Sequence, residues 1–166
     1  MGLTCLLRQA DESEIMDLLS NPEQIYDLYN EELDERLKKE EHLDKAWHGI
    51  HYLLTGSGWE GEEPLGYLLG GGQAIGDKES DDSSPRALLP EEVAAFDTAL
   101  SQIMAEDLRQ RFNPKEMIEQ QIYPNIWYRD PEEDDTLGYL LEYFDILKTF
   151  VRKTRDANKG LIIFLG

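Results

Sequence analysis

The sequence predicts an α/β fold, a small sheet covered by helices. Three observations carry this. An alternating segment opens the chain at 3–9, and an unbroken apolar run, Leu161–Leu165, closes it. Between them, a long segment repeats its apolar residues at helical spacing. At 166 residues and 19.1 kDa the chain suits one compact domain, 1–166, and is long enough to bury a core.

In the first segment Leu3, Cys5 and Leu7 alternate with Thr4 and Arg8, as in a strand. Asp11-Glu-Ser-Glu14 is a capping-box signature and predicts a helix near 12–20. Asn21-Pro-Glu-Gln24 repeats it with Pro22 at the first helical position, predicting a helix near 22–30. The charge-dense stretch 31–42 reads as a solvated helix or a loop. Residues 43–55 predict an amphipathic helix, because Leu43, Trp47, Ile50 and Leu54 share one face. Gly56 is placed to cap its C-terminus.

Residues 56–85 are loop-rich, with a short strand or helical turn at Leu65–Leu69 and an exposed loop at 77–85. Arg86–Leu89 reads as a short strand, Pro90 opens a helix, and Asn113-Pro-Lys-Glu116 opens another to about Gln121. Ile122–Trp127 is an aromatic loop. After the acidic run 130–135 comes the longest helix, with Leu137, Leu140, Leu141, Phe144, Leu147, Phe150 and Val151 on its apolar stripe. Asn158-Lys-Gly160 ends it, and Leu161–Leu165 reads as a central strand buried on both faces.

Asp and Glu number 35 against 16 Lys and Arg, a formal charge of -19. Such a balance argues against nucleic acid and anionic membrane surfaces as partners, since both need clustered cations. One cysteine leaves no intrachain disulfide and fits a reducing compartment. No apolar run approaches the roughly 20 residues of a membrane span. Acids at 11, 12 and 14 interrupt any signal peptide, and Leu6 stands where myristoylation wants Ser or Thr. The expectation is a soluble, acidic, cytoplasmic domain.

Several motifs were weighed for chemistry. Gly56-Ser-Gly-Trp-Glu-Gly61 has dinucleotide-fingerprint spacing, but a helix precedes it and Glu60, Glu62 and Glu63 would repel phosphate. Gly70-Gly-Gly72 lacks the Lys-Ser/Thr of a phosphate loop. Asp44, His48 and His51 at helical spacing form a candidate metal set. The plainer reading has His51 at the core edge with a hydrogen-bond partner and His48 solvated. Cys5 reads as core, and Ser57 lacks nucleophile-elbow surroundings. Trp59, Tyr123, Trp127 and Tyr128 lie in loops, where they either anchor a partner or cap the core. The spread acids read as a solvated surface, or as an electrostatic lure for a basic partner.

The stretch Leu43-Asp-Lys-Ala-Trp-His-Gly-Ile-His-Tyr-Leu-Leu-Thr-Gly56 resembles the signature of the YfbM-like family, a bacterial domain of unknown function numbered 1877. Five further features agree in order: the opening strand, Glu63-Pro-Leu65 with the glycines at 70–71, Leu108–Phe112, Ile122-Tyr-Pro124 and the closing strand. The resemblance spans the chain and implies a helix-rich three-layer α/β sandwich, with a small mixed sheet that includes both terminal strands. It implies no established activity, cofactor or partner. The family pattern holds Trp47, His51, Thr55-Gly56 and Tyr123-Pro124, whereas position 48 lies outside it, which weakens the metal set. Ile50 stands where leucine is more usual.

No catalytic, metal or cofactor residues are assigned, and enzymatic activity and oligomeric state stay open. The first functional expectation is a non-catalytic interaction module for a basic protein, in the manner of a toxin-neutralising immunity protein. The second is a small-molecule binder or enzyme with a pocket around Trp47, His51, Thr55, Tyr123 and Trp127, His51 being its acid/base candidate.

Overall fold

In this computed structural model, which describes residues 2–76 and 84–166, β1 (Cys5–Ala10) is buried along its whole length. Helix α1 (Glu12–Ser20) follows, its start marked by the Asp11 amide donating to Glu14 Oε1 at 3.3 Å. A 3-10 turn at Pro22–Gln24 leads into α2 (Ile25–Tyr29). Then come α3 (Leu33–Lys39), β2 (Glu40–Asp44) and α4 (Trp47–Thr55). Two short strands, β3 (Gln73–Ala74) and β4 (Arg86–Leu88), precede α5 (Pro90–Ser101), α6 (Ala105–Arg111) and α7 (Pro114–Glu119). The chain ends with α8 (Thr136–Asp156) and β5 (Gly160–Leu165).

Asn21 makes no side-chain cap bond, and the helix expected near 22–30 is a 3-10 turn followed by the short α2. Pro90 and Pro114 open α5 and α7, where a missing N–H costs no helical bond. Asn113 Oδ1 accepts the Glu116 amide at 3.2 Å, and Asp135 Oδ1 accepts that of Gly138 at 2.8 Å. Gly56 ends α4 at φ +79°, a left-handed conformation that suits glycine, with its N–H donating to Tyr52 O.

The strands form one sheet in the order β2-β1-β5-β4-β3, so the closing apolar run is its centre. Every pairing among the described strands is antiparallel, which corrects the expected mixed sheet. The reason is in the connections. β2 enters beside the end of β1 (Arg8↔Glu40), and β5 enters beside the end of β4 (Leu88↔Leu161). Neither connection crosses the sheet lengthwise, as a parallel pair would require.

Alternation divides the sheet into two buried faces. Cys5, Leu7, Leu88, Leu161 and Ile163 join the large core built with α4 to α8. Leu6, Ala10, Ala87, Ile162 and Phe164 pack against Ile15 and Leu18 of α1 and Ile25 of α2. The result is three layers, helix, sheet, helix. The stripe of α8 supplies Leu140, Phe144, Leu147, Phe150 and Val151 to the large core. No helix among the described residues is long and apolar enough to cross a membrane.

Other differences from the sequence reading are local. The helix expected over 43–55 begins at Trp47, and Leu43 and Asp44 belong to β2. Leu43 still reaches the core, but from a strand, and Asp44 at φ +48° makes the corner into α4. Within the charged stretch, α3 is a helix with no fully buried residue. Its last residues form an edge strand, because β1 offers them a ladder. Leu65–Leu69 is a succession of turns, closed by bonds such as Gly70 N–H to Gly66 O at 3.0 Å. Most of the expected loop at 77–85 lies outside the described residues.

Candidate functional site

Helix α4 has eight buried residues in its nine, including both histidines. His48, expected to be solvated, is fully buried. Its Nδ1 accepts the Tyr123 amide at 2.8 Å. Its Nε2 lies 2.7 Å from the Gly58 carbonyl oxygen. An amide only donates and a carbonyl only accepts, so these partners fix the neutral tautomer with the proton on Nε2. Burial lowers its pKa, against a smaller raising effect of the Gly58 bond.

His51 is 1% exposed, as the core-edge reading anticipated, and its Nε2 meets the Glu60 carbonyl at 3.0 Å. Burial takes its pKa down to about 4, so it is neutral at pH 7 and poorly matched to acid catalysis there. Its Nδ1 is buried with no hydrogen-bond partner. Thr55 Oγ1 donates to the His51 carbonyl at 2.8 Å and accepts the Ser57 amide at 3.2 Å.

Together these bonds fold the glycine-rich loop 56–61 back over α4. Gln120 Oε1 adds a fourth tie, accepting the Gly58 amide at 2.9 Å. The amides of Gly56, Ser57, Gly58 and Glu60 are therefore bonded within the fold rather than offered to a phosphate. The loop presents Trp59, 62% exposed, with its ring 4.6 Å from that of His48.

The five residues proposed as a pocket take separate places. Trp47 and Tyr123 stack at 5.7 Å, and the Trp47 indole donates to Leu3 O at 3.0 Å. His51 and Thr55 secure the loop at the other end of α4. Trp127 is buried beside Phe112, its indole donating to Ile122 O at 2.8 Å. Among the other loop aromatics, Tyr128 is exposed and Trp59 half covers the cluster. The candidate metal set is dispersed: Asp44 Oδ2 accepts the Tyr139 hydroxyl at 2.7 Å, and both ring nitrogens of His48 are bonded to backbone. No group of three potential ligands is assembled among the described residues. Cys5 is fully buried, and burial pushes its thiol up to about 12.

Two features escaped the sequence reading. One is Arg86, a cation on the core-facing side of β4. It borders a cleft of about 300 Å³ with Trp59, Leu69, Ser84, Ile163 and Leu165. The signal was an arginine in an otherwise apolar strand, Arg86-Ala-Leu-Leu89. The other is the surface of the α1–α3 layer. Tyr26, Tyr29, Leu33 and Leu37 are 67%, 46%, 64% and 64% exposed, as two pairs at one-turn spacing. Tyr29 packs edge-on against Phe164 at 5.7 Å and walls a groove of about 360 Å³ with Leu6, His42 and Pro85. Residues 11–44 carry thirteen acids and three bases.

Fold and site thus define an acidic three-layer α/β domain with a histidine-secured aromatic loop and no assembled catalytic set among its described residues. A family model described as "Domain of unknown function (DUF1877)" matches residues 1–164, and the chain belongs to that family. It is 23% identical to protein YfbM of Escherichia coli K12, with both chains covered in full. The crystal structure of YfbM, described as a protein of unknown function, superposes with a TM-score of 0.75. That match has 20% identity and covers 98% of this chain and 99% of that one. It shows the fold.

Proposed function

We propose that this protein is a non-catalytic interaction module whose α1–α3 layer docks a basic protein. The observation that carries the reading is the exposure of Tyr26, Tyr29, Leu33 and Leu37 within a segment of thirteen acids and three bases. Exposed apolar side chains supply short-range adhesion, and the surrounding carboxylates raise the encounter rate with a cation. The partner this fits has lysines and arginines around an apolar centre. An immunity-type role, with the acidic layer covering a toxin's basic surface, is one form of this reading.

The test is capture with the wild-type protein and with a Tyr26→Ser/Leu33→Ser/Leu37→Ser variant, at low and physiological salt. The three side chains are exposed, so the variant folds. The expected result is one basic protein, stoichiometric with the wild type, weakened by salt and lost with the variant. It then binds again when purified. Equal capture by both proteins, or no partner at either salt, overturns the reading.

A further inference from the structure

We propose that the cleft between Trp59 and Arg86 binds a small carboxylate with an apolar body, its anionic head on the Arg86 guanidinium. The cleft lies on the other face of the sheet from α2, so this site is independent of the docking surface above.

The first argument is how Arg86 is partnered. Its Nη1 donates to Gly71 O at 3.1 Å, and its Nη2 donates to the carbonyls of Tyr67 and Leu68. A guanidinium has five N–H donors, and the bonds to described residues use three of them. No carboxylate among the described residues forms an ion pair with it. Arg8, the other buried arginine of the sheet, contrasts sharply: it holds Glu31 at 2.7 Å and Glu40 at 3.0 Å. Among the described residues, the bonds of this half-buried arginine all go to backbone carbonyls. Burial pulls its pKa down to about 10.

The second argument is the cleft itself. Among the described residues that line it, Trp59, Leu69, Ile163 and Leu165 are apolar or aromatic. One cation beside an apolar wall matches a ligand with one charged end. At about 300 Å³ the space is at the small end for ligand sites. The charge of -19 favours a singly charged head over a phosphate dianion. Trp59 is held at the rim by the loop that His48 and His51 secure, so the wall exists before the ligand arrives.

The test uses benzoate, with benzyl alcohol as its uncharged counterpart, read by NMR of the three tryptophan indole N–H signals. The expected result is a saturable shift of the Trp59 signal with benzoate, while those of Trp47 and Trp127, bonded in the core, stay in place. Benzyl alcohol is expected to bind at least about tenfold more weakly, the equivalent of 1.4 kcal/mol. Arg86→Gln also removes support from the 67–71 turn, so the deciding variant is Leu69→Asp. It keeps every Arg86 donor and sets a competing carboxylate beside them, and it too is expected to weaken benzoate about tenfold or more. No shift at millimolar benzoate, equal binding of the alcohol, or unchanged binding by Leu69→Asp overturns the proposal.

Discussion

His48 Nε2 lies 2.7 Å from the carbonyl oxygen of Gly58, a residue ten positions away, while the same ring accepts the amide of Tyr123. One neutral imidazole thus joins α4 to two loops. His48→Phe keeps the ring's bulk but leaves a buried amide and a buried carbonyl without partners. We expect a loss of about 2–4 kcal/mol in chemical denaturation.

His51 supplies a pH dependence whose sign is set. Its folded pKa is about 4, below the ordinary 6.5, so between these values the unfolded chain binds the extra proton. Stability from this group is intact above pH 6.5 and falls as the pH drops toward 4, by on the order of 2–3 kcal/mol. The His51 ring signal should titrate near pH 4. In His51→Leu, the loss of stability between pH 7 and 4.5 should be smaller than in the wild type.

Cys5 should be silent toward thiol reagents in the native state, being fully buried with its thiol pushed up to about 12. Labelling should appear only with denaturant and should follow the unfolding transition.

Asp97, 3% exposed, receives Arg152 at 2.8 Å and Arg155 at 2.7 Å, and so ties α5 to α8. Burial raises its pKa, but the bonds from the two arginines outweigh this and leave it lowered. Both arginines are about half exposed, so they return to water when the acid is removed. Asp97→Ala should cost about 1–3 kcal/mol at pH 7. The cost should shrink in acid, where the wild-type carboxyl is itself protonated.

Two glycines separate strain from crowding. At Gly56 an added Cβ meets nothing within 4 Å, so alanine there costs only the left-handed backbone, about 1 kcal/mol. At Gly160 the Cβ would meet the Leu88 carbonyl oxygen at 2.5 Å and also Ile15 Cδ1. Neither neighbour stands free in the sheet's interior, so Gly160→Ala should cost about 3 kcal/mol. Thermal denaturation of the two variants compares them directly.

Elements set by local chemistry were legible from the sequence. The stripe from Leu140 to Val151, the cap at Asn113 and the run Leu161–Leu165 each carry their own signal. β2 was not legible. Glu40-Glu41-His42 has no strand propensity, and it is extended because Arg8, Leu7 and Leu6 pair with it across more than thirty residues. Arg8 takes a polar position of an alternating strand, yet it is fully buried between Glu31 and Glu40. His48 was misread for the same reason, since Tyr123 lies 75 positions away. The candidate site was partly legible. Trp47 and Tyr123 do meet, but Thr55 and Trp127 serve other neighbours, and Arg86 went unnoticed.

β1 and β5 lie side by side at the middle of the sheet, paired from Cys5↔Leu165 to Ala10↔Gly160. During synthesis β1 emerges first, and its central neighbour comes some 150 residues later. Helices can form on the way, yet both sheet faces stay uncovered until that late strand arrives. This topology should make folding slow, because the central pair of strands must close across the longest separation in the sheet.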